Sequence, residues 1–224
     1  MKNGLLIFTG AFAALALSWA GVVLTAHNDL SGLTQYKDST DDALYPQPLT
    51  GIANQGRLVY QDLGCVSCHT QQVRREGFGA DVGEHSRKWG TRQSVARDYI
   101  REKTVLIGSS RIGPDLRNIA SRIPGAEDSA KADYLYKLLY TPEAAIGGTP
   151  LAHGMPAYPF LFESRPVGSV QSSHKSFKVT AAGQEIVPTR RAEALVAYLL
   201  SLKDTFEYPE AKPFVETAKK EEGH

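Results

Sequence analysis

The sequence has few of the residues that build metal clusters and disulfide frameworks. Its 224 residues include only two cysteines, Cys65 and Cys68, and apart from the initiator its one methionine is Met155. A zinc site made from two cysteine pairs is therefore excluded. No further thiol is left to form a structural disulfide, so the cysteines do not report the redox compartment in the usual way.

A charge excess of one sign is also lacking. The chain has 25 Lys and Arg residues against 24 Asp and Glu residues, and its formal net charge is +1. No whole-chain field would attract nucleic acid, so we expect no nucleic-acid partner. Internal repeats and low-complexity tracts are absent too, and the length suits an anchor followed by one domain with its own core.

The most informative feature is the run Cys65-Val66-Ser67-Cys68-His69. This C-x-x-C-H pattern is typical of covalent attachment of a c-type haem, because two close thiols can add to the two vinyl groups on one haem edge. A thioredoxin-like redox pair would not need His69, and a zinc site would need further soft ligands. The pattern predicts one covalently attached haem c, with Cys65 and Cys68 as the thioether residues and His69 as the first axial ligand of the iron.

The N-terminus contains a long apolar run. No charged residue occurs from Gly4 to Ala26, a stretch that would span roughly 30 Å of hydrocarbon as a helix. A cleaved signal peptide is the competing interpretation, with Ser18-Trp19-Ala20 as a cleavage site, but the apolar run continues past that site. We expect an uncleaved transmembrane anchor over residues 1–27, with the amino terminus in the cytoplasm.

The rest of the chain predicts a mainly α fold: a single N-terminal transmembrane helix followed by a cytochrome c-like helical domain with a small insert. We expect a connector over 28–49, the haem domain over 50–204 with the insert near 163–188, and a polar tail over 205–224. Amphipathic spacing predicts three helices of that domain, and weaker signals predict a short helix and a small hairpin. These segments are, in order, Ile52–Leu63, Ser129–Tyr140 and Arg191–Leu202, then Ser94–Lys103 and the hairpin around Ser176–Thr180.

A c-type haem iron that carries electrons usually has a second axial ligand, methionine or histidine. Met155 lies in a stiff loop that contains Gly154, Pro156 and Pro159. We predict Met155 as this ligand. Core packing is an alternative role for Met155, and His153 is the rival ligand. The remaining histidines lie in polar or terminal segments and are expected to be solvated: His27, His85, His174 and His224.

The run Gly113-Pro114-Asp115-Leu116 resembles the G-P-x-L turn that faces the proximal histidine in c-type cytochromes. The resemblance implies that the carbonyl group of Pro114 accepts the Nδ1 hydrogen of His69 and orients the ring. An ordinary proline turn is the alternative.

Two further pairs fit the same family. Gly56 and Tyr60 resemble the glycine and aromatic residue of the first cytochrome c helix. Their expected partner is the run Ala197-Tyr198-Leu199 in the last helix. Tyr158 and Phe160 could line the haem edge or simply pack in the core.

Together these residues resemble the mono-haem, membrane-anchored subunit of cbb3-type cytochrome c oxidases, which are haem-copper terminal oxidases. Two positions depart from that family's C-H-T-Q-M-V/I-R-P run, since Gln72 and Arg75 replace its methionine and proline. Besides the anchor, the matching segments are Gly64–Arg74, Lys88-Trp89-Gly90, Arg111–Leu116 and Met155–Pro159.

The resemblance implies an electron-transfer subunit without a catalytic site of its own. It would relay electrons from a c-type cytochrome donor to the haems of a multi-span catalytic subunit that carries b-type haem and copper. It would lie in the cytoplasmic membrane, in contact with lipid, with its haem domain on the periplasmic side. Arg74 and Arg75 would pair with haem propionates, face a partner subunit, or remain a solvated pair.

Two other functions remain open at this point. A free-standing membrane-tethered cytochrome c would shuttle electrons between soluble partners with no oxidase attached. A haem enzyme or gas sensor would require that Met155 does not ligate the iron permanently.

Overall fold

The computed structural model describes residues 3–38, 42–75, 77–78, 81–82, 87–146, 154–167, 178–179, 183–204 and 206–211. The chain divides into two compact units. The first comprises Met1–Pro46 with Val95–Glu102, and the second comprises Gln47–Ser94 with Lys103–His224.

The first unit begins with a continuous helical segment. It consists of α1 (Gly4–Trp19), a π-helical turn (Ala20–Leu24) and α2 (Thr25–Ser31). The whole segment, Gly4–Ser31, is long and apolar enough to cross a membrane, and its apolar window has no buried residue. The predicted N-terminal apolar helix is confirmed. It extends to Ser31, beyond the end expected at residue 27.

Two short strands follow in the segment expected to be a connector. β1 (Tyr36–Lys37) pairs antiparallel with β2 (Leu44–Tyr45), with Tyr36 opposite Tyr45. Within the same unit the Arg101 guanidinium donates to Gln35 Oε1 over 3.0 Å.

Between Ser94 and Lys103 the helical structure is limited to a 3-10 turn, Ala96–Tyr99, which is shorter than the predicted helix. Ser94 is already engaged in loop contacts, because its amide donates to the Val73 carbonyl and its hydroxyl accepts from the Val73 amide. Within the turn the amides of Asp98 and Ile100 donate to the carbonyl groups three residues back, those of Val95 and Arg97, which is the 3-10 and not the α-helical spacing.

The second unit is built on two crossed helices, α3 (Gly51–Asp62) and α7 (Arg190–Ser201). Both begin in the same way, since the hydroxyl groups of Thr50 and Thr189 accept hydrogen bonds from the amides of Ala53 and Ala192. A side-chain cap of this kind satisfies an amide that the helix itself leaves unpaired.

The two helices touch at Gly56. A methyl group there would overlap the Ala194 carbonyl group and lie 2.8 Å from the Tyr198 Cβ. One turn further on, the rings of Tyr60 and Tyr198 meet edge to face with centroids 5.5 Å apart. The pairing of Gly56 and Tyr60 with the last helix is therefore present as expected from the sequence.

The described part of the second unit also contains three shorter or separate α-helices: α4 (Ile119–Arg122), α5 (Asp128–Tyr140) and α6 (Pro142–Ile146). Leu135 and Leu139 of α5 are buried against the same core as Leu195 and Leu199 of α7. The α5 and α7 helices match the predicted positions within one residue at each end, because their apolar spacing follows the helical period.

The predicted insert forms a small antiparallel sheet. Its strands are β3 (Phe162–Pro166), β4 (Lys178–Val179) and β5 (Gln184–Pro188), in the order β3-β5-β4. The sheet therefore has three strands where the sequence predicted a two-stranded hairpin. Of the segment predicted to form that hairpin, Ser176–Thr180, only residues 178–179 are described. An ion pair joins β3 to β5, between the partly exposed Arg165 guanidinium and the buried Glu185 carboxylate.

The segment expected to begin the polar tail packs on the second unit. Tyr208 is 1% exposed, and the buried Arg92 guanidinium lies 4.9 Å from the centre of its ring. Arg92 also donates to the Phe206 carbonyl over 3.0 Å. Residues 212–224 lie outside the described part of the chain.

We expect the substitution Gly56→Ala to destabilise the protein, because the added methyl group would force α3 away from the main chain of Ala194. Overpacking of this kind lowers the free energy of unfolding by about 1–3 kcal/mol. Denaturant unfolding of the purified chain, followed by circular dichroism, measures the change.

Gly51→Ala is the matched control, since Gly51 is in the same helix and a methyl group there would meet no atom within 4 Å. Equal unfolding curves for the two variants would contradict the close crossing.

Candidate haem-binding site

The Cys-x-x-Cys-His run lies directly after α3. Gly64 ends that helix in the left-handed conformation, with φ of 71°, and a 3-10 turn follows at Cys65–Ser67. The amides of Cys68 and His69 both donate to the Cys65 carbonyl, over 3.2 and 3.0 Å. This compact turn brings both sulfur-bearing residues and the histidine onto one short loop.

The His69 ring is held by the turn at Gly113 and Pro114. Nδ1 lies 2.8 Å from the carbonyl oxygen of Pro114, and proline cannot offer an amide donor of its own there. The Gly113 amide donates to the Cys68 carbonyl over 2.9 Å. Because Nδ1 makes the hydrogen bond, Nε2 is the ring nitrogen left for a metal.

Gly113 gives the imidazole the room it needs. A methyl group on Gly113 would overlap the ring and lie 2.6 Å from Nδ1. Any residue other than glycine at position 113 would therefore displace the His69 ring. The sequence run Gly113-Pro114 thus contributes twice, by space at the glycine and by an acceptor at the proline.

Burial dominates the electrostatics of His69 and lowers its pKa, while the hydrogen bond to Pro114 and the charge of Asp115 act in the opposite direction. The neutral form is therefore favoured at neutral pH. A neutral imidazole is the form that ligates a metal.

The buried carboxylate of Asp115 connects the segment after His69 to the segment of the Gly-Pro turn. Its carboxylate accepts from the Thr70 hydroxyl over 2.6 Å, from the Gln72 amide over 2.7 Å and from the Arg117 amide over 2.8 Å. The residue is 0% exposed. Neither its burial nor its donors can be read from the turn motif, so the sequence alone gives Asp115 no role.

The Cys65 thiol lies against the core and contacts the hydroxyl group of Tyr158. Burial, as the largest influence, raises the pKa of the Cys65 thiol to about 11. A redox-active pair of the thioredoxin type needs a thiol whose pKa is lowered. The structure therefore disfavours that alternative.

The Met155 loop reaches the same region. Met155, Tyr158 and Cys65 are all partly buried and pack against one hydrophobic core. The loop is tied to the end of α5, because the Tyr158 amide donates to the Leu139 carbonyl over 2.8 Å. The rival ligand, His153, lies outside the described residues, as do His85, His174 and His224, whereas His27 is exposed in α2.

The two arginines singled out in the sequence are both exposed. Arg75 places its guanidinium 3.8 Å from the centre of the Phe78 ring. Two other arginines, Arg111 and Arg122, lie deeper in the second unit and have buried Nε atoms without a hydrogen-bond partner among the described residues. The position of Arg111, two residues before the Gly-Pro turn, was the signal that could have pointed to it, whereas no such signal marks Arg122.

Arg111 forms a buried ion pair with Asp81 over 2.5 Å and donates to the Gln72 carbonyl over 2.6 Å. Its guanidinium also lies 5.3 Å from the centre of the Trp89 ring. These contacts fix the position of the chain at Gln72, just after the Cys-x-x-Cys-His loop.

The residues present fit a haem group of the c type. Among the described residues, no group of three or more His, Cys, Asp or Glu side chains is arranged to hold a metal ion. A haem iron needs only two axial ligands from the protein, and His69 already presents a neutral, oriented imidazole with Gly113 leaving space at its face.

This fold and this site define a class: a helical cytochrome c domain in a chain with one N-terminal candidate membrane span. A family model described as cytochrome c oxidase, mono-heme subunit/FixO, matches residues 11–186. The chain belongs to this family, so it is a mono-haem subunit of a cytochrome c oxidase and partners the catalytic subunit of that oxidoreductase complex. A comparison with curated proteins finds no match. The family and the fold class predicted from the sequence are both confirmed.

We expect Gly113→Ala to rotate or displace the His69 ring, because the added methyl group would occupy its place. The g-values of the ferric haem, measured by electron paramagnetic resonance, would change, and the free energy of unfolding would fall by about 1–3 kcal/mol. Gly51→Ala again serves as the control. A Gly113→Ala chain with normal haem content and unchanged g-values would show that the ring does not depend on this contact.

Proposed function

We propose that the chain is the electron-relay subunit of a cbb3-type oxidase. It would pass electrons from a c-type cytochrome donor to the b-type haem of the catalytic subunit. The observation that carries this proposal is the hydrogen bond between His69 Nδ1 and the Pro114 carbonyl oxygen, 2.8 Å long. This hydrogen bond leaves Nε2 of His69, directly after the Cys-x-x-Cys motif, free to bind iron. The matched family is one of mono-haem subunits.

In this proposal the sulfur atoms of Cys65 and Cys68 hold the haem by thioether bonds. His69 and Met155 would bind the iron. The Pro114 carbonyl keeps the imidazole in the tautomer that offers Nε2, and it makes the ring a better donor to iron. Tyr158 contacts Cys65 and closes the site on the side of the methionine loop.

When bound, haem c supplies a one-electron couple between ferric and ferrous iron. With His69 and Met155 both retained as ligands, the chain offers no open coordination position to oxygen. These features support electron transfer rather than a gas-sensing or enzymatic role, so oxygen reduction belongs to the catalytic subunit.

The helix Gly4–Ser31 would anchor the chain in the cytoplasmic membrane, in contact with lipid. Attachment of haem c takes place outside the cytoplasm in this family, so the haem domain would lie on the periplasmic side. A c-type cytochrome donor could reach it there, and no catalytic site of its own is needed.

The first test is an optical spectrum of the purified membrane complex, oxidised and reduced, with the haem types counted as pyridine haemochromes. We expect haem c bound covalently to this chain and b-type haem in a co-purifying multi-span subunit. The matched variant Cys65→Ser should lose one thioether bond and shift the haemochrome band. Haem c in a solitary small species would instead support a free-standing tethered cytochrome, and absence of haem c would overturn the proposal.

The identity of the second ligand is tested separately. We expect Met155→His to remove the thioether-to-iron absorption band at the red end of the visible spectrum. The reduction potential should also fall, because histidine in place of methionine favours ferric iron. His153→Ala is the matched control and should leave the band in place. If His153→Ala lost the second ligand while the spectrum of Met155→His stayed the same as that of the unchanged protein, the second ligand would be His153.

A further inference from the structure

Asp115 is a buried carboxylate that makes no direct contact with a cationic side chain among the described residues. Its three donors are a hydroxyl group and two main-chain amides, none of which carries a formal charge. The buried carboxylates of Asp81 and Asp204 differ in this respect. Each is paired with an arginine, Asp81 with Arg111 at 2.5 Å and Asp204 with Arg117 at 3.2 Å.

This carboxylate is close to the proximal histidine in the chain and in space. Pro114, whose carbonyl oxygen holds His69, is the residue before it, and Thr70, which donates to it, is the residue after His69. The carboxylate accepts three hydrogen bonds, and at 0% exposure water does not screen its charge.

We propose that Asp115 sets the reduction potential of the haem c by placing a buried negative charge beside its proximal ligand. The inference rests on the proposed haem attachment at Cys65, Cys68 and His69. Ferric haem carries one more positive charge than ferrous haem, so a nearby negative charge stabilises the ferric state and lowers the potential. Asp115 acts through the field and not by contact with iron, which makes it a tuning residue and not a ligand.

Arg122 is the charge that opposes Asp115. Its guanidinium donates to the main-chain carbonyl oxygen of Asp115, on the same side of the site. Both charges lie at the segment that holds His69, because Asp115 follows Pro114 in the chain and Arg122 donates to the Asp115 carbonyl group. Removal of either charge should therefore move the potential, and in opposite directions.

The experiment is a spectroelectrochemical redox titration of haem c in the purified complex. Asp115→Asn should raise the equilibrium constant for reduction about tenfold, which is about 59 mV for a one-electron couple. Asp115→Glu keeps the charge and should restore a potential near that of the unchanged protein. Arg122→Gln should shift the potential downward.

Thr70→Val is the matched structural control. It removes the 2.6 Å hydrogen bond to Asp115 but leaves the carboxylate charged. A purely structural role predicts that Thr70→Val and Asp115→Asn shift the potential alike, and that result would overturn the proposal. The charge-based role predicts no upward shift in Thr70→Val.

If Asp115→Asn fails to retain haem, Arg122→Gln decides the question, and an unchanged or raised potential there counts against the proposal. If the proposed function itself were wrong, the unchanged protein would show no haem c spectrum, which distinguishes that outcome from a failure of the role of Asp115. A normal wild-type spectrum with an unshifted Asp115→Asn potential overturns only the role of Asp115.

Discussion

The hydrogen-bonded pairing of residues 68–72 with residues 113–117 is the constraint on which the site depends. The two segments are far apart in the chain, yet main-chain bonds join them at both ends, from Gly113 to Cys68 and from Leu116 to Thr70. The buried carboxylate of Asp115 adds two more hydrogen bonds between the segments, from the Thr70 hydroxyl and the Gln72 amide. The orientation of the histidine follows from this pairing, because the acceptor for its Nδ1 atom belongs to the second segment.

The crossed helices provide the platform for that pairing. At Gly56 the missing side chain lets α3 and α7 approach until main chain meets side chain. The same face of α7 then reaches the site, since the Tyr198 hydroxyl donates to Gln71 Oε1 over 3.0 Å. The helix crossing is thus linked by one hydrogen bond to Gln71, two residues beyond the histidine.

The two departures from the family pattern are tolerated for a structural reason. At Gln72 the contacts that matter use main-chain atoms, the amide to Asp115 and the carbonyl to Arg111, so a change of side chain leaves them in place. Arg75 is exposed and lies over Phe78. Neither position contributes a side chain to the proposed ligation of iron.

Much of the architecture follows directly from the sequence. Apolar spacing located α3, α5 and α7 within one residue, since each helix buries one face against a common core. The Cys-x-x-Cys-His motif and the Gly-Pro turn pointed to the site because their chemistry is local. The third strand beside the predicted hairpin was not foreseen, and neither was the packing of Tyr208, because both depend on partners distant in the chain.

The sequence by itself determined the family, the apolar N-terminal helix and the identity of the proposed haem-binding residues, since each is carried by a run of neighbouring residues. Only the tertiary structure decided which charges are buried beside His69 and which are solvated. Arg74 and Arg75 turned out to be exposed, whereas Asp115 is fully buried. Burial depends on how distant segments pack, and the strength of a charge depends on burial, so no local pattern could have ranked these residues.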